Sequence, residues 1–157
     1  MRPLTKLAAC LLVLVANPLF AGEVALAPTV DAGRLPALGS SWLAANPYRA
    51  RPVADEALAI GRDAYNQACA RCHGRDASTN AAPAPDLRNL NRSCRRIEDD
   101  ELKAWCLRDN DAYFAKTVRH GKVIVGVTHM PPWEGVLPQE LAWAIQLFVE
   151  RQAAGKP

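Results

Sequence analysis

Apolar residues recur every three to four positions in several segments of the chain, which is the spacing of a helix with one buried face. The first segment runs from Asp55 to about Ala70, where Asp55 can cap the helix start and the acidic Glu56 suits its first turn. The residues predicted on its buried face are Ala57, Gly61, Tyr65 (or Ala64) and Ala68.

Three more helices are predicted in the second half of the chain. One spans residues 94–108 around the acidic run 98–101, and the next begins at Asp109 or Asp111 and ends at Gly121. We expect the second of these to bury Tyr113, Phe114, Thr117 and Val118. The final helix starts at Pro138 and stops near Gln152. Residues 123–125 suit either a strand or an extended loop. Short helices joined by Pro- and Gly-rich loops predict an all-α fold.

The N-terminal segment 1–21 is typical of a secretory signal peptide. Two basic residues, Arg2 and Lys6, precede an uninterrupted apolar run of ten residues, and Ala21 provides a small residue for cleavage. The run is about half as long as a membrane span requires. We therefore expect export to the periplasm, cleavage near Ala21 and no stable membrane insertion of the mature chain.

Composition and length favour one exported globular domain. The chain has 157 residues, 50% of them apolar, which excludes an acidic disordered chain. The formal charge is only +3 and basic residues are mixed with acidic ones, which argues against nucleic-acid binding. Residues 22–54 are rich in Ala, Pro and Gly without helical periodicity, so we predict an extended arm or linker, acting as a spacer or in docking. Residues 55–152 form the predicted domain, and residues 153–157 a tail.

Four cysteines remain once Cys10 leaves with the signal peptide, and an even number suits an oxidising compartment. Cys69 and Cys72, followed by His73, form the C-x-x-C-H pattern of covalent haem attachment. Two thiols at this spacing can add to the two vinyl groups of a porphyrin, and His73 then reaches the iron. The alternatives are a redox-active thiol pair or half of a zinc site. Cys94 and Cys106 most simply form a disulfide.

The haem iron needs a sixth ligand or an open position. Met130 is the single methionine of the mature chain and is followed by two prolines that make its loop rigid. A thioether ligand raises the reduction potential by favouring Fe(II). His129, His120 and an open iron remain alternatives.

From these motifs, residues 55–152 resemble the class I cytochromes c. Gly61, Tyr65 and Cys69 keep the spacing of that family's first helix, in which the glycine allows the last helix to cross closely. Residues 84–87 read Ala-Pro-Asp-Leu and match the family's Gly-Pro-x-Leu loop except for the alanine. The resemblance implies four to five short helices around one covalently attached haem c. It also implies that the cofactor-binding residues are Cys69, Cys72, Pro85 and Leu87, and that the iron ligands are His73 and Met130. The Pro85 carbonyl is then expected to accept a hydrogen bond from His73 Nδ1.

More narrowly, the chain resembles periplasmic cytochromes c that accept electrons from PQQ-dependent ethanol dehydrogenases. The resemblance is carried by residues 65–69, 111–122 and 130–137. It implies a monomeric electron carrier and not an enzyme, with a quinoprotein alcohol dehydrogenase as donor and a terminal oxidase or another cytochrome as acceptor. Trp133 and Lys122 are expected at the rim of the haem edge. The alternatives are a haem enzyme, such as a peroxidase, and a gas-binding protein, both of which need an open iron.

Overall fold

The computed structural model describes residues 24–50, 52–77 and 84–155, and the predicted signal peptide lies outside these residues. The elements are α1 (Val53–Ala68), α2 (Ala70–His73), α3 (Asp100–His120), β1 (Lys122–Ile124), β2 (Val127–Met130) and α4 (Gln139–Ala154). Single 3₁₀ turns occupy Ala32–Arg34, Pro47–Arg49, Arg75–Ala77, Leu87–Asn89 and Cys94–Arg96. The predicted all-α class is confirmed, with one small antiparallel hairpin added. Within the described ranges no helix has the length and apolar character needed to cross a membrane.

The core is built around the crossing of α1 and α4. A Cβ atom on Gly61 would lie only 2.0 Å from the carbonyl oxygen of Ala144, so the two backbones approach as closely as glycine allows. On the same side the rings of Tyr65 and Phe148 pack with their centroids 5.3 Å apart. The contact predicted between the glycine-containing face of the first helix and the last helix is therefore confirmed.

Helix α3 differs from the prediction, because one helix of 21 residues replaces the two that were expected. The side chain of Asp99 accepts a hydrogen bond from Leu102 N at 2.7 Å and caps the start, and Gly121 ends the helix at φ +67°. Neither proline nor glycine interrupts residues 100–120, so nothing stops the helix between them. The predicted inward position of Tyr113 is wrong, since that residue is 50% exposed, whereas Phe114 is buried.

The undecided segment 123–125 contributes to a hairpin. Strand β1 pairs antiparallel with β2, with Val123 opposite Thr128 and Ile124 opposite Val127. The turn between the strands has positive φ angles at Val125 and Gly126, as two-residue hairpin turns require. Residues 123–125 do not alternate between apolar and polar side chains, which is the pattern that predicts a strand with one buried face. Both faces of this hairpin are exposed, so no buried face requires that pattern.

The N-terminal arm packs against α4 and does not extend away from the domain. Tyr48 is buried, at 1% exposure. The side-chain amide of Asn46 donates to the carbonyl oxygen of Trp143 at 2.9 Å and to Gln146 Oε1 at 2.8 Å. The arm therefore gives the buried side-chain oxygen of Gln146 a hydrogen-bond partner.

An ion-pair network joins this arm to α3 and α4. Arg49 donates to Asp111 Oδ2 at 2.7 Å and to Glu150 Oε1 at 2.6 Å. The Asp111 side chain has no exposed surface, and it also accepts from Asn46 N at 3.0 Å and from Gln146 Nε2 at 2.8 Å. The Asp111 carboxylate is thus buried with its charge paired and its oxygens bonded, the condition under which a buried charge is tolerated.

Replacing Arg49 with Ala should lower the free energy of unfolding by about 3 kcal/mol, because it leaves the buried carboxylate of Asp111 without its counter-charge. Guanidinium unfolding followed by circular dichroism measures the loss. Arg34→Ala is the matched control on the same arm. Arg34 pairs with Glu56 at the surface, where side-chain exposures are 63% and 39%, and this change should cost less than about 1 kcal/mol. Equal losses in the two variants would contradict the role given to the buried pair.

A disulfide joins Cys94 to Cys106, with a Cα–Cα distance of 5.6 Å, and confirms the expected pairing. It connects the 3₁₀ turn before α3 to the second turn of that helix. The bridge therefore closes a short loop.

Replacing both cysteines with Ser should lower the free energy of unfolding by about 3 kcal/mol, the value of the chain-entropy relation for a loop of this size. Chemical unfolding of the two proteins measures the difference. A reductant should destabilise the unchanged protein and leave the double variant unaffected. A reductant effect of the same size on both proteins would show that the stabilisation does not come from this bridge.

Candidate functional site

The two cysteines of the C-x-x-C-H motif lie where α1 gives way to the one-turn helix α2. Cys69 N donates to the carbonyl oxygen of Tyr65 at 2.8 Å, and the motif then continues as a helical turn up to His73. Neither cysteine is part of a disulfide, and both are half-buried. Burial raises the pKa of the Cys69 thiol to about 12, and the neighbouring Cys72 raises it further. A redox-active pair requires a thiol that ionises readily, so this environment disfavours the thiol-exchange alternative.

The turn that follows His73 is bound to α1 by two side chains. The Tyr65 hydroxyl donates to the carbonyl oxygen of Gly74 at 3.0 Å, and burial raises the pKa of Tyr65, which keeps it a donor. Asn66 exchanges two hydrogen bonds with Asp76, one to its carboxylate at 2.7 Å and one from its backbone N at 2.9 Å. Asp76 has a φ of +54°, a conformation that Asp tolerates better than most residues. This pair was not predicted from the sequence, although an Asp shortly after a motif is a recognisable turn signal.

His73 is oriented by the loop that resembles the family's Gly-Pro-x-Leu segment. Its Nδ1 lies 3.0 Å from the carbonyl oxygen of Pro85, so the hydrogen bond implied by the resemblance is present. The donor is the Nδ1–H, because a carbonyl can only accept, and Nε2 is left free to bind a metal. Asp86 caps the following Leu87–Asn89 turn by accepting from Arg88 N at 3.0 Å. With Ala84 in place of glycine, the loop still brings the Pro85 carbonyl within hydrogen-bond distance of His73.

Met130 lies at the end of β2, half-buried and packed against the main core cluster. A Cβ on Gly121 would lie 2.3 Å from the Met130 carbonyl oxygen, so the end of α3 and the methionine loop are in close contact. The alternative iron ligands, His129 and His120, are both exposed, unlike Met130. Nδ1 of His120 also lies 3.4 Å from Glu134 Oε2. Met130 is thus the candidate sixth ligand that packs against the core.

The proposed rim residues have different positions. Trp133 is buried, at 7% exposure, and its backbone N donates to the carbonyl oxygen of Val118 at 3.0 Å, because the chain returns to α3 after the two prolines. This burial argues against the expected place of Trp133 at the rim of the haem edge. Lys122 is exposed and donates to the Tyr113 hydroxyl at 2.5 Å.

Three of the predicted site residues, Cys69, Leu87 and Met130, pack against the hydrophobic core of the domain. Pro85 contacts His73 through the hydrogen bond to its Nδ1. Two thiols outside any disulfide, one imidazole whose Nε2 can bind a metal and one thioether form the donor set that a covalently attached haem requires. Cys94 and Cys106 are consumed by their disulfide and cannot complete a zinc site with the motif. The residues present therefore fit a haem.

Comparisons with known proteins agree with this donor set. Residues 56–149 match the family described as cytochrome c oxidase, cbb3-type, subunit III. The chain belongs to the class I cytochrome c family. A relative named cytochrome c550 from Pseudomonas aeruginosa is 38% identical to this cytochrome over 123 residues, covering 77% of this chain and 74% of the relative. No solved structure matches the chain. The cytochrome binds haem c covalently and is an electron-transfer protein, not an enzyme.

Proposed function

We propose that the cytochrome is a periplasmic carrier of single electrons, which it receives from a quinoprotein alcohol dehydrogenase and passes to a terminal oxidase or another cytochrome. The observation that carries this proposal is that the chain offers an imidazole oriented by a carbonyl, at His73, and a thioether packed against the core, at Met130. An iron bound by both side chains would have no position open for a substrate or a gas. This arrangement supports a carrier over a haem enzyme or a gas-binding protein.

Each site residue has a defined part in this proposal. Cys69 and Cys72 would form the thioether bonds, and Leu87 would help to line the haem site. His73 would hold the iron through Nε2, while the Pro85 carbonyl fixes the orientation of the imidazole and makes it more basic. Met130 would supply the second iron ligand, and a thioether ligand favours the reduced state. The haem itself supplies the Fe(III)/Fe(II) couple, and little in the protein needs to rearrange as the charge changes.

The periplasmic location is supported by cysteine usage. The Cys94–Cys106 disulfide is of the kind that persists in oxidising compartments and is rare in the cytosol. Segment 1–21 has the charge and apolar pattern of an export signal. We therefore propose a mature protein that begins near residue 22, with an arm over 22–54 and a cytochrome domain over 55–152.

The proposed donor is supported by the resemblance of residues 65–69, 111–122 and 130–137 to cytochromes that serve ethanol dehydrogenases. Electron transfer requires partners that bind briefly, so we expect a monomer with a small interface, below about 1,200 Å². Both the donor and the acceptor would then use transient complexes.

Two measurements test the proposal. The reduced protein should have a low-spin spectrum that carbon monoxide leaves unchanged, whereas rapid carbon monoxide binding would favour the open-iron alternatives. In stopped flow, a PQQ-dependent ethanol dehydrogenase should reduce the cytochrome when ethanol is present. The matched control is the same enzyme without ethanol, which should not reduce it. A cytochrome that stays oxidised with the active enzyme would contradict the proposed donor.

A further inference from the structure

The turn that follows the C-x-x-C-H motif contains backbone that is costly to form. Asp76 and Ala77 adopt φ angles of +54° and +49°, and among the described residues only Val125 shares a positive φ without being a glycine. Left-handed backbone costs free energy in any residue other than glycine. Such a conformation persists only where neighbouring contacts hold it, and it concentrates where a protein positions a functional group.

Asn66 holds this turn on α1 through two hydrogen bonds. Its Nδ2 donates to Asp76 Oδ1 at 2.7 Å, and its Oδ1 accepts from the Asp76 backbone N at 2.9 Å. The two bonds close a ring, so they fix the backbone of Asp76 as well as its side chain. We call this pair of residues the Asn66–Asp76 clamp.

The other charged group near Asp76 contributes little to holding the turn. Arg75 Nε lies 3.8 Å from Asp76 Oδ2, and the Arg75 side chain is 87% exposed. Exposed ion pairs of this length add little stability, because water and salt screen them. Both members of the clamp are half-buried, so their mutual hydrogen bonds are the stronger constraint on the turn.

The clamp lies just beyond the one-turn helix that carries His73. Helix α2 has only four residues, too few to be stable without tertiary support. Its start continues directly from α1 through Cys69. Beyond His73, two contacts hold the chain on α1, namely the Tyr65 hydroxyl bound to the Gly74 carbonyl and the clamp. These contacts therefore determine where the backbone of His73 lies.

The position of that backbone matters because the His73 ring is held from another part of the chain. Its Nδ1 lies 3.0 Å from the carbonyl oxygen of Pro85. Pro85 precedes the Leu87–Asn89 turn, which is packed against the core through Leu87. A shift of the His73 backbone relative to this loop changes the length of the hydrogen bond. That bond makes the imidazole a more basic ligand.

We propose that Asn66 and Asp76 are positioning residues for the iron ligand His73: the Asn66–Asp76 clamp sets the orientation of the imidazole and the strength of its hydrogen bond to Pro85. A more basic ligand favours Fe(III), so the clamp lowers the reduction potential, in opposition to the thioether. This inference rests on the proposed function, because it takes His73 as an iron ligand.

The test uses Asn66→Ala in the haem-loaded protein. Opening the clamp should weaken the Nδ1 hydrogen bond and shift the Fe(III)/Fe(II) equilibrium about tenfold toward Fe(II), a rise of about 59 mV in the potential of a one-electron couple. The pattern of haem methyl signals in the proton NMR spectrum of the oxidised protein should also change, because it depends on the orientation of the imidazole plane. Faster amide hydrogen exchange at Asp76 should accompany both changes.

Gln67→Ala is the matched control at the next position of α1. Gln67 Oε1 accepts from Thr29 N at 2.8 Å and from Thr29 Oγ1 at 3.1 Å, so this change also removes two hydrogen bonds of a side-chain amide. Those bonds hold the N-terminal arm and not the turn after His73. The potential and the NMR pattern should stay unchanged. Equal shifts in the Asn66 and Gln67 variants would overturn the proposal, because a general loosening of α1 would then explain them.

Asp76→Asn separates the clamp from the charge of the carboxylate. Asparagine can accept from Asn66 Nδ2 and tolerates a positive φ, so both hydrogen bonds are kept while the charge is lost. The NMR pattern should remain that of the unchanged protein. A pattern altered by Asp76→Asn and left intact by Asn66→Ala would assign the effect to the carboxylate charge and overturn the clamp.

Asn66→Leu is the second variant if Asn66→Ala does not accumulate with haem attached. Leucine has nearly the size of asparagine and a higher helix propensity, but it forms no hydrogen bond. It should give the same rise in potential and the same change of NMR pattern. If neither Asn66 variant alters these two quantities, the positioning role is overturned and the proposed function stands.

Failure of the proposed function has a different signature. None of these measurements uses a partner protein, so they do not depend on the proposed donor. If the oxidised, unchanged protein lacks the shifted proton signals of an iron-bound imidazole, His73 is not a ligand. The iron ligation in the proposed function and the positioning role then fail together.

Discussion

Replacing Met130 with Ala should lower the reduction potential of the cytochrome by roughly 0.2 V, within the range of about 0.8 V over which axial ligands tune haem potentials. The thioether favours Fe(II), so its loss stabilises Fe(III) relative to the reduced state. The haem should remain attached, because Cys69 and Cys72 hold it independently of the iron ligands. Redox titration followed by visible absorption measures the shift.

The matched control for this change is His129→Ala. His129 is adjacent in sequence but exposed, whereas Met130 packs against the core, so the control variant should keep its potential. The reduced Met130→Ala protein should also bind carbon monoxide, since one iron position is then open. A potential that falls in the His129 variant and not in the Met130 variant would identify the histidine as the sixth ligand.

Replacing Gly61 with Ala should lower the free energy of unfolding by about 4 kcal/mol, at the upper end of overpacking effects. The added Cβ would lie 2.0 Å from Ala144 O and 2.4 Å from Ala144 C, and both of these are backbone atoms. No side-chain rotation can relieve this contact, so α1 and α4 have to separate. That separation also disturbs the packing of Tyr65 on Phe148. Guanidinium unfolding of the haem-loaded protein measures the loss.

Gly155→Ala is the control for the Gly61 variant. The nearest atom to a Cβ at Gly155 is Gln152 O at 3.8 Å, an ordinary contact, so the same chemical change should have little effect. Because the total stability of a domain is about 5–15 kcal/mol, the Gly61 variant should be visibly marginal while the control stays folded. Similar stability of the Gly61→Ala variant and the unchanged protein would contradict the close crossing.

The arm and the hairpin give the domain two features beyond a haem-binding core. The arm supplies Arg49 to the buried Asp111, so part of the stability of α3 and α4 depends on a segment outside the helical region. The hairpin adds exposed apolar surface beside the methionine loop.

The amino-acid sequence by itself determined the chemistry of the site and the framework of the fold. Cys69, Cys72 and His73 are contiguous enough that their spacing alone predicts haem attachment. The resemblance of Gly61 and Tyr65 to the first helix of class I cytochromes c implies how α1 meets α4. These are local signals, in which one or two helical turns bring the relevant atoms together. The end of α3 at Gly121 and the start of α4 after Pro138 were predictable for the same reason.

Only the tertiary structure decided what depends on distant partners. Asn46 and Arg49 look like loop residues in the sequence, and their bonds to Gln146 and Asp111 join positions 100 and 62 residues apart. The continuity of α3, the burial of Trp133 and the exposure of the hairpin likewise depend on which surfaces other segments cover. Hydrophobic periodicity indicates which face of a segment could be buried. Whether that face is buried depends on the segments that pack against it, and the local sequence does not identify those segments.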